Sequence, residues 1–449
     1  MNSKEYQQFF DRNDVMVVLT TSTAGLGHKR VTKALKQGLP EFIHEEELGA
    51  DDFWMQFLHR ITSRNFFLRY LFELIQNVSF LERSFALFYR RRLRKHSEDV
   101  YQRMKALIQR RKPTPKVVLI VATHFSLAHE LAVVKKKLDQ EFKLKLLLAV
   151  VVTDDSPQEL WAVHGADYLF VPSQLTKNAL LEHFKNKNLK PIPEIVVKSY
   201  PISLSLAEKL TSDQWKEKKA QVSPKGNKQL KVMVPISGAA VQLQYLQAMI
   251  ESLCQDKQAF VTVVSRESKT TAKFIAWAQN HSCINVIAKS DDRDVVEEYE
   301  EEFQRAVYSL EITKPSEQSF KSLFSPQQLG GVIMLFSEPV GRQEDDNIAF
   351  LLRHGLLPNE KDATSIRELC LGRIETIDDD LLKRARHWRG ILLPMEGAEA
   401  GCLIKLLRKT GVLAAMMEFA GFADHPELAD DGVAQTWRYL TRQSQKFLR

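Results

Sequence analysis

The first apolar stretch of the chain is followed by residues that could accept a proton beside a bound anion. The stretch 15–19 predicts a strand, and Gly25 and Gly27 come directly after it. His28 then falls in the first turn of a predicted amphipathic helix. Glycines let a backbone approach a ligand closely, and a helix N-terminus offers unpaired N–H groups. A histidine placed there can activate a hydroxyl beside an anionic leaving group, and a plain tight turn is the alternative.

Other polar residues follow further apolar runs, at the ends of predicted buried strands. In the first half of the chain they are Thr123, His124, Thr153, Asp154 and Asp155, with Trp161 and Asp167 downstream. In the second half they are Ser237, Gly238, Ala239, Ala240, Thr313, Lys314, Pro315, Ser316, Gln343, Glu344, Asp345, Asp346 and Asn347. The 237–240 loop opens a long helix, which is a geometry that binds pyrophosphate. Taken singly, each has an ordinary structural explanation, such as a helix N-cap at Asp154 or a surface lysine at Lys314.

The strands that position these residues alternate with helical patterns. Apolar runs predict five strands in the first half, at 15–21, 116–123, 145–153, 167–173 and 194–200. Five more are predicted in the second half, at 229–237, 259–265, 284–289, 309–314 and 331–336. This alternation is typical of parallel α/β sheets. We therefore expect two doubly wound, Rossmann-like domains, with ligands at the carboxyl ends of the strands and in the cleft between the domains.

The domain boundaries follow from a change in composition near the middle of the chain. The segment 206–229 is rich in Lys and Gln, contains Pro and Gly, and has few apolar residues, which indicates a linker or a solvated helix plus linker. We expect a first domain over 1–205 and a second over 230–415. The remaining segment, 416–449, predicts a helix that could pack back on the first domain.

Composition indicates a globular protein of the cytoplasm. The 449 residues are 44% hydrophobic and 27% charged. The four cysteines, Cys254, Cys283, Cys370 and Cys402, are widely spaced, so we expect free thiols in a reducing compartment, with neither a disulfide framework nor a metal site. The N-terminus has no signal-peptide pattern, and no apolar run approaches the roughly 20 residues that span a bilayer.

The net charge of +7 is concentrated in one aromatic segment, 52–112. This segment has 14 Lys and Arg against 5 Asp and Glu, and it also contains eight of the 25 phenylalanines. Basic, aromatic helices suit an anionic membrane surface, where each Lys or Arg adds about 1 kcal/mol. The alternative is a helical lid packed on its own domain. Nucleic acid is disfavoured, because no recognised nucleic-acid module accompanies the patch. We therefore predict a peripheral membrane protein.

Taken in order, these motifs resemble the two-domain nucleotide-sugar glycosyltransferases of the GT-B fold. The chain looks most like the branch with monogalactosyldiacylglycerol synthase, the processive diacylglycerol glucosyltransferases and, more distantly, MurG. The likeness covers roughly 14–410. The matching motifs are the Gly25-Leu26-Gly27-His28 loop, Thr123-His124, Thr153-Asp154 with Trp161, Asp167 and Tyr168, Thr313-Lys314-Pro315, and Gln343-Glu344 with Asn347.

The resemblance implies an inverting hexosyl transfer from a UDP-sugar to a diacylglycerol-like lipid, without a bound metal or cofactor. His28 would be the catalytic base. The acceptor side would include Gly25, Gly27, Thr123, His124, Asp154 and Trp161. The donor side would include Ser237, Gly238 and Ala239 at the pyrophosphate, Ser265 and Arg266 at the uracil, Thr313 and Lys314, and Gln343, Glu344 and Asn347 near the sugar.

Five positions differ from the pattern of these relatives. Gln158 stands where a histidine is usual, and Arg342 stands where a glycine precedes the Gln-Glu pair. Ser316 and Glu317 stand where two glycines are usual, and Ser322 stands where a glutamate that grips the ribose is expected. Two other functions therefore stay open: a transferase-like binding protein without turnover, and a UDP-sugar epimerase of similar fold.

Overall fold

The computed structural model describes residues 3–21, 26–40 and 97–448, which fall into two compact units. The first unit takes its residues from 1–204 and 425–449, and the second spans 205–424. Each unit contains one all-parallel sheet with helices around it. These two Rossmann-like sheets confirm the predicted fold class.

The described part of the first sheet has five parallel strands in the order β1-β2-β3-β4-β5. They are β1 (Val15–Thr20), β2 (Val117–Ala122), β3 (Lys145–Val151), β4 (Tyr168–Val171) and β5 (Glu194–Val197). The register pairs Val15 with Val117, and Val117 with Lys145. β2 is buried along its whole length, because it is a central strand covered on both faces. All five strands were predicted.

The helices of the first unit are α1 (Ser3–Phe10), α2 (Leu26–Gln37), α3 (97–110), α4 (Phe125–Phe142), α5 (Gln174–Asn186) and, at the C-terminus, α15 (Gly432–Gln445). α15 packs on α1 and α2, as Trp437 Nε1 donates to the Leu35 carbonyl at 2.9 Å and its ring contacts Phe10. At Gly432 the start of α15 lies against the segment after β5, where a Cβ would come within 2.3 Å of the Ser199 carbonyl oxygen. The C-terminal segment thus completes the first unit.

The second sheet has six parallel strands in the order β11-β10-β9-β6-β7-β8. They are β6 (Leu230–Pro235), β7 (Ala259–Arg266), β8 (Ile284–Lys289), β9 (Leu310–Thr313), β10 (Ile333–Phe336) and β11 (Gly390–Leu392). Its helices are α6 (Ser212–Val222), α7 (Leu243–Cys254), α8 (Ala272–Gln279), α9 (Asp292–Arg305), α10 (Arg342–Arg353), α11 (Glu360–Cys370), α12 (Asp379–Ala385), α13 (Gly397–Lys409) and α14 (Val412–Met417). Five of the strands were predicted, whereas the three-residue β11 is too short to show a pattern.

The segment 206–229, expected to be a linker or a solvated helix plus linker, belongs to the second unit and contains the helix α6. A capping box begins this helix: Thr211 Oγ1 accepts from the Gln214 N–H, and the Gln214 side chain accepts from the Thr211 N–H. Lys218 is fully buried and donates to the carbonyls of Pro326, Gln328 and Gly331 at 2.9, 3.0 and 3.1 Å. The polar residues of this segment therefore include side chains that form hydrogen bonds inside the protein as well as side chains that face solvent.

A disulfide joins Cys254 to Cys283, with their Cα atoms 6.2 Å apart, so the expectation of free thiols is wrong for this pair. Cys254 precedes β7, and Cys283 precedes β8. Because β7 and β8 are parallel neighbours, the segments before them lie side by side at the amino edge of the sheet. Cys370 and Cys402 are free. The expectation of a reducing compartment was based on four free thiols, and the structure has only two among its described residues.

Most of the basic aromatic segment 52–112 lies outside the described residues, including all eight of its phenylalanines. The described part contains α3, whose apolar side chains Val100, Tyr101, Met104 and Ile108 pack in the core of the first unit. Arg110 at the end of the helix and Arg111 and Lys112 after it are exposed. Among the described residues, no helix is long and apolar enough to span a membrane.

Candidate functional site

His28 lies at the carboxyl edge of the first sheet, in the first turn of α2. β1 ends at Thr20 and the helix begins at Leu26, so His28 stands in the first turn, as the sequence predicts. Gly27, expected in the loop before the helix, is the second residue of the helix. Gly25 lies outside the described residues. Because β1, β2 and β3 run parallel, the residues after each of them gather at this same edge.

The imidazole of His28 is held by oxygens that follow β2 and β3. Its Nδ1 lies 2.8 Å from the Thr123 carbonyl oxygen and 3.2 Å from Thr153 Oγ1. A carbonyl only accepts hydrogen bonds, so Nδ1 carries the proton and the lone pair is at Nε2. A neutral histidine of this tautomer can act as a general base through Nε2.

His124 and two buried aromatic rings surround His28. The His124 ring meets the His28 ring edge-on at 4.7 Å and stacks on Phe125 at 4.6 Å. The Trp161 ring lies 6.2 Å from His28 and 5.6 Å from Phe125. Burial lowers the pKa of His124 well below its ordinary value, and the nearby His28 lowers it further. His124 is therefore neutral at pH 7. Its ring places no positive charge beside His28 when His28 takes up a proton.

The acidic residues around β3 and β4 divide between the two edges of the sheet. Asp154 is half-buried and follows Thr153 at the carboxyl edge. Asp155 is buried and accepts from Ser173 Oγ and from Thr176 Oγ1, which fixes the start of α5. Asp167 precedes β4 at the amino edge, where it pairs with Lys135 and accepts from the Leu148 N–H at 2.7 Å. The expected association of Asp167 with the strand-end residues is therefore wrong.

In the second unit, the loop after β6 precedes α7 with two residues in the left-handed region. Ala240 has φ +50° and Gln242, the N-cap of α7, has φ +61°. A turn that combines right-handed and left-handed residues can point backbone N–H groups into a concavity that binds an anion. Ser237 Oγ is buried without a hydrogen-bond partner among the described residues. Gly238 is exposed and Ala239 is half-buried. The loop can therefore bind an anion with its backbone and with Ser237.

The residues after β9 and β10 hold each other in place. Lys314 forms an ion pair with Glu344, whose second oxygen accepts from the Val340 N–H at 2.8 Å. Asn347 is fully buried, and its Nδ2 donates to the Pro315 carbonyl at 3.1 Å. These bonds connect α10 to the loops that follow β9 and β10. Glu344 and Asn347 thus stabilise this edge of the second sheet.

Other predicted donor-side residues are distributed along the same edge. Ser265 is buried and donates to the Arg266 carbonyl, and Arg266 Nη1 pairs with Asp292 Oδ1 at 3.2 Å. Thr313 ends β9 and is buried, whereas Gln343 is half-buried at the start of α10. Ser322 is fully buried in a 3-10 helix (Glu317–Leu323), so it does not stand at the ligand-facing surface of this edge.

Three residues at these edges were missed from the sequence. Thr32 Oγ1 donates to the His28 carbonyl, and its position four residues after His28 on one helix face could have indicated it. Gln242 accepts from Ser337 Oγ at 2.7 Å and donates to the Glu338 carbonyl at 3.0 Å. Tyr245 OH donates to the Pro394 carbonyl, and burial raises the pKa of its phenol. No sequence signal marks the last two.

One protein family matches a part of the chain that lies within the first unit. Residues 28–193 match the family described as monogalactosyldiacylglycerol (MGDG) synthase. The match begins at His28 and includes Thr123, Thr153 and Trp161. It supports a glycosyltransferase. Comparison with curated proteins gives no significant match.

Solved structures match the whole chain at low sequence identity. UDP-GlcNAc 2-epimerase from Neisseria meningitidis, bound to UDP-GlcNAc, has a TM-score of 0.50 and 12% identity, over 95% of this chain and 99% of its own. A putative UDP-N-acetylglucosamine 2-epimerase from Listeria monocytogenes has a TM-score of 0.50 and 12% identity, and the match covers 97% of this chain and 96% of the epimerase. MurG from Acinetobacter baumannii has a TM-score of 0.45 and 11% identity, and the match covers 96% of this chain and 99% of MurG. The two matches at a TM-score of 0.50 show that the chain shares its fold with these epimerases.

Proposed function

We propose that the protein is an inverting glycosyltransferase that moves a hexose from a UDP-sugar to a diacylglycerol-like lipid at a membrane surface. The observation that carries the proposal is His28, held in the Nε2-basic tautomer at the start of α2, within the segment that matches the MGDG synthase family. An epimerase does not need a base for an acceptor hydroxyl.

The first unit would supply the base for the reaction. His28 Nε2 takes the proton of the acceptor hydroxyl as the hydroxyl oxygen forms a bond to the anomeric carbon. The bond from that carbon to the UDP oxygen breaks on the opposite face, and the leaving diphosphate takes the electron pair. The imidazolium that results keeps its Nδ1–H bonds to Thr123 and Thr153.

The second unit would bind the donor. The backbone of the 237–242 loop and the N-terminus of α7 can stabilise the negative charge that develops on the diphosphate, and such donors contribute about 3 kcal/mol each. Lys314 adds a positive charge at the same edge, held by Glu344. Gln343 and Glu344 would face the sugar, and the backbone at 265–266 would face the uracil. The proposed transfer uses no resident metal or cofactor.

The basic aromatic segment 52–112 would bring the enzyme to its lipid substrate. Its surplus of positive charge and its aromatic residues suit the headgroup layer of an anionic membrane. Flotation of the protein with vesicles tests this part separately. Binding should increase with the fraction of anionic lipid and fall with salt, and flotation independent of lipid charge would contradict it.

The transfer itself is tested with labelled UDP-glucose and UDP-galactose offered with vesicles that contain diacylglycerol. We expect a labelled glycolipid from the wild type, no detectable product from His28→Ala, and UDP affinity within about twofold for both. His164→Ala, a histidine of the same unit that bonds the Lys190 carbonyl, is the control and should keep full activity. UDP binding without transfer by the wild type would favour a binding protein. Conversion of UDP-GlcNAc to its C2 epimer would favour the epimerase.

A further inference from the structure

Three threonines from three elements surround His28. Thr32 lies on α2, Thr123 follows β2 and Thr153 follows β3. All three are buried, with exposed fractions of 1%, 0% and 2%. We call Thr32, Thr123 and Thr153 the threonine clamp. Because buried hydroxyls can only bond to protein groups, their directions are set by the structure.

Two members of the clamp hold the backbone of His28. Thr32 Oγ1 donates to the His28 carbonyl at 2.9 Å and lies 2.7 Å from Thr123 Oγ1. Since Thr32 gives its one proton to the carbonyl, Thr123 donates to Thr32. The Thr123 hydroxyl also lies 3.3 Å from the Thr20 carbonyl at the end of β1. The first turn of α2 is thereby tied to the end of β2, and the Thr20 carbonyl of β1 lies beside the same hydroxyl.

The third member, Thr153, reaches the ring itself. Thr153 Oγ1 lies 3.2 Å from His28 Nδ1, beside the Thr123 carbonyl at 2.8 Å. Thr153 is held in turn, because its carbonyl accepts from Tyr200 OH at 2.9 Å. The ring nitrogen therefore donates toward two oxygens whose positions are fixed by β2 and β3.

We infer that Thr153 is a positioning residue, which orients the His28 ring and stabilises its protonated form through Nδ1. Only the catalytic part of this inference rests on the proposed function; the orientation and protonation of the His28 ring do not. An imidazolium N–H is a stronger donor than a neutral one, so a hydroxyl at Nδ1 favours the charged ring. Removing that hydroxyl lowers the pKa of His28 and lets the ring turn away from its productive direction.

Valine and serine at position 153 separate these effects from packing. Thr153→Val keeps the shape and loses the hydroxyl, whereas Thr153→Ser keeps the hydroxyl and loses a methyl group. For Thr153→Val we expect kcat to fall about tenfold, KM for both substrates to stay unchanged, and the acidic limb of the pH–rate profile to move to lower pH. Thr153→Ser should restore kcat and the limb. Thr436→Val, which removes a buried hydroxyl of α15 that bonds the Gly432 carbonyl, should match the wild type.

A measurement without turnover separates this inference from the proposed function. In protein with ¹⁵N-labelled histidine, the nitrogen shifts of His28 report which nitrogen carries the proton and the pH at which the ring titrates. We expect protonated Nδ1 in the wild type and in Thr153→Ser, and a lower titration midpoint in Thr153→Val. An unchanged midpoint in Thr153→Val, or a serine variant that behaves like the valine variant, would overturn the inference. If no transfer is found and the midpoint still shifts, the proposed function fails and the role of Thr153 stands.

Discussion

Replacing His124 should remove a large part of the acid sensitivity of the first unit. The ring is almost fully buried, and its Nδ1 has no hydrogen-bond partner among the described residues. Burial lowers the pKa of His124 in the folded protein, and the edge-on His28 ring lowers it further. In the unfolded chain the same imidazole titrates near its ordinary pKa of about 6.5.

The size of the effect follows from proton linkage. Below pH 6.5 the unfolded state binds a proton at His124 that the folded state does not bind, so the free energy of unfolding falls as the pH falls. The loss approaches about 1.4 kcal/mol per pH unit and continues down to the folded pKa. Between pH 7 and pH 5 it reaches at most about 2 kcal/mol, a large share of the stability of an ordinary domain.

Urea unfolding at pH 5, 6, 7 and 8 measures this loss for the wild type and for His124→Gln. Glutamine is neutral at every pH used, so its stability curve should be flatter than that of the wild type below pH 6.5. His164→Gln, at an imidazole that bonds the Lys190 carbonyl, is the matched control and should follow the wild type. Parallel curves for the wild type and His124→Gln would show that the folded state protonates His124 as readily as the unfolded state, and would refute the reasoning.

Three further changes have expected outcomes. Cys254→Ser, or a reductant on the wild type, should lower the free energy of unfolding of the second unit by about 3 kcal/mol, since the disulfide closes a loop of 29 residues. Urea curves that a reductant does not move would contradict this. Lys218→Met should cost about 3 kcal/mol in the same assay, because three buried carbonyls lose their donor, whereas the exposed Lys219→Met should change little. Transfer activity should survive dialysis against EDTA, and a loss restored by a divalent cation would contradict the metal-free proposal.

The sheets could be predicted because buried parallel strands leave a strong pattern in the sequence. Apolar runs such as 117–122 and 145–151 are covered on both faces, and ten of the eleven strands in the described residues were found from such runs. β11 escaped because three residues carry no periodicity. A helix at α6 was one of the two alternatives, but it was expected to be solvated. Its buried Lys218 and Gln221 bond to backbone groups, so a polar sequence concealed a packed face.

The candidate site was predictable where it depends on local sequence. His28 follows a strand and glycines, so its place in the first turn of α2 could be read from neighbouring residues. Its bonding partners could not, because Thr123 and Thr153 are 95 and 125 residues away and come together only through the sheet. The Cys254–Cys283 pairing was missed for the same reason, since it depends on β7 and β8 being neighbours.

The two sheet edges use their motif residues differently. At the first edge, His28 is held through its own backbone and through Nδ1, and the proton at Nδ1 puts the lone pair of the ring at Nε2. At the second edge, both carboxylate oxygens of Glu344 and the amide of Asn347 are engaged with Lys314, Val340 and Pro315. Under the proposed function, a donor sugar at Glu344 must share or replace these bonds. Because the same bonds hold the loops after β9 and β10, binding of that sugar would be coupled to the position of both loops. The short Gln-Glu-x-x-Asn motif thus encodes the support of this edge of the sheet.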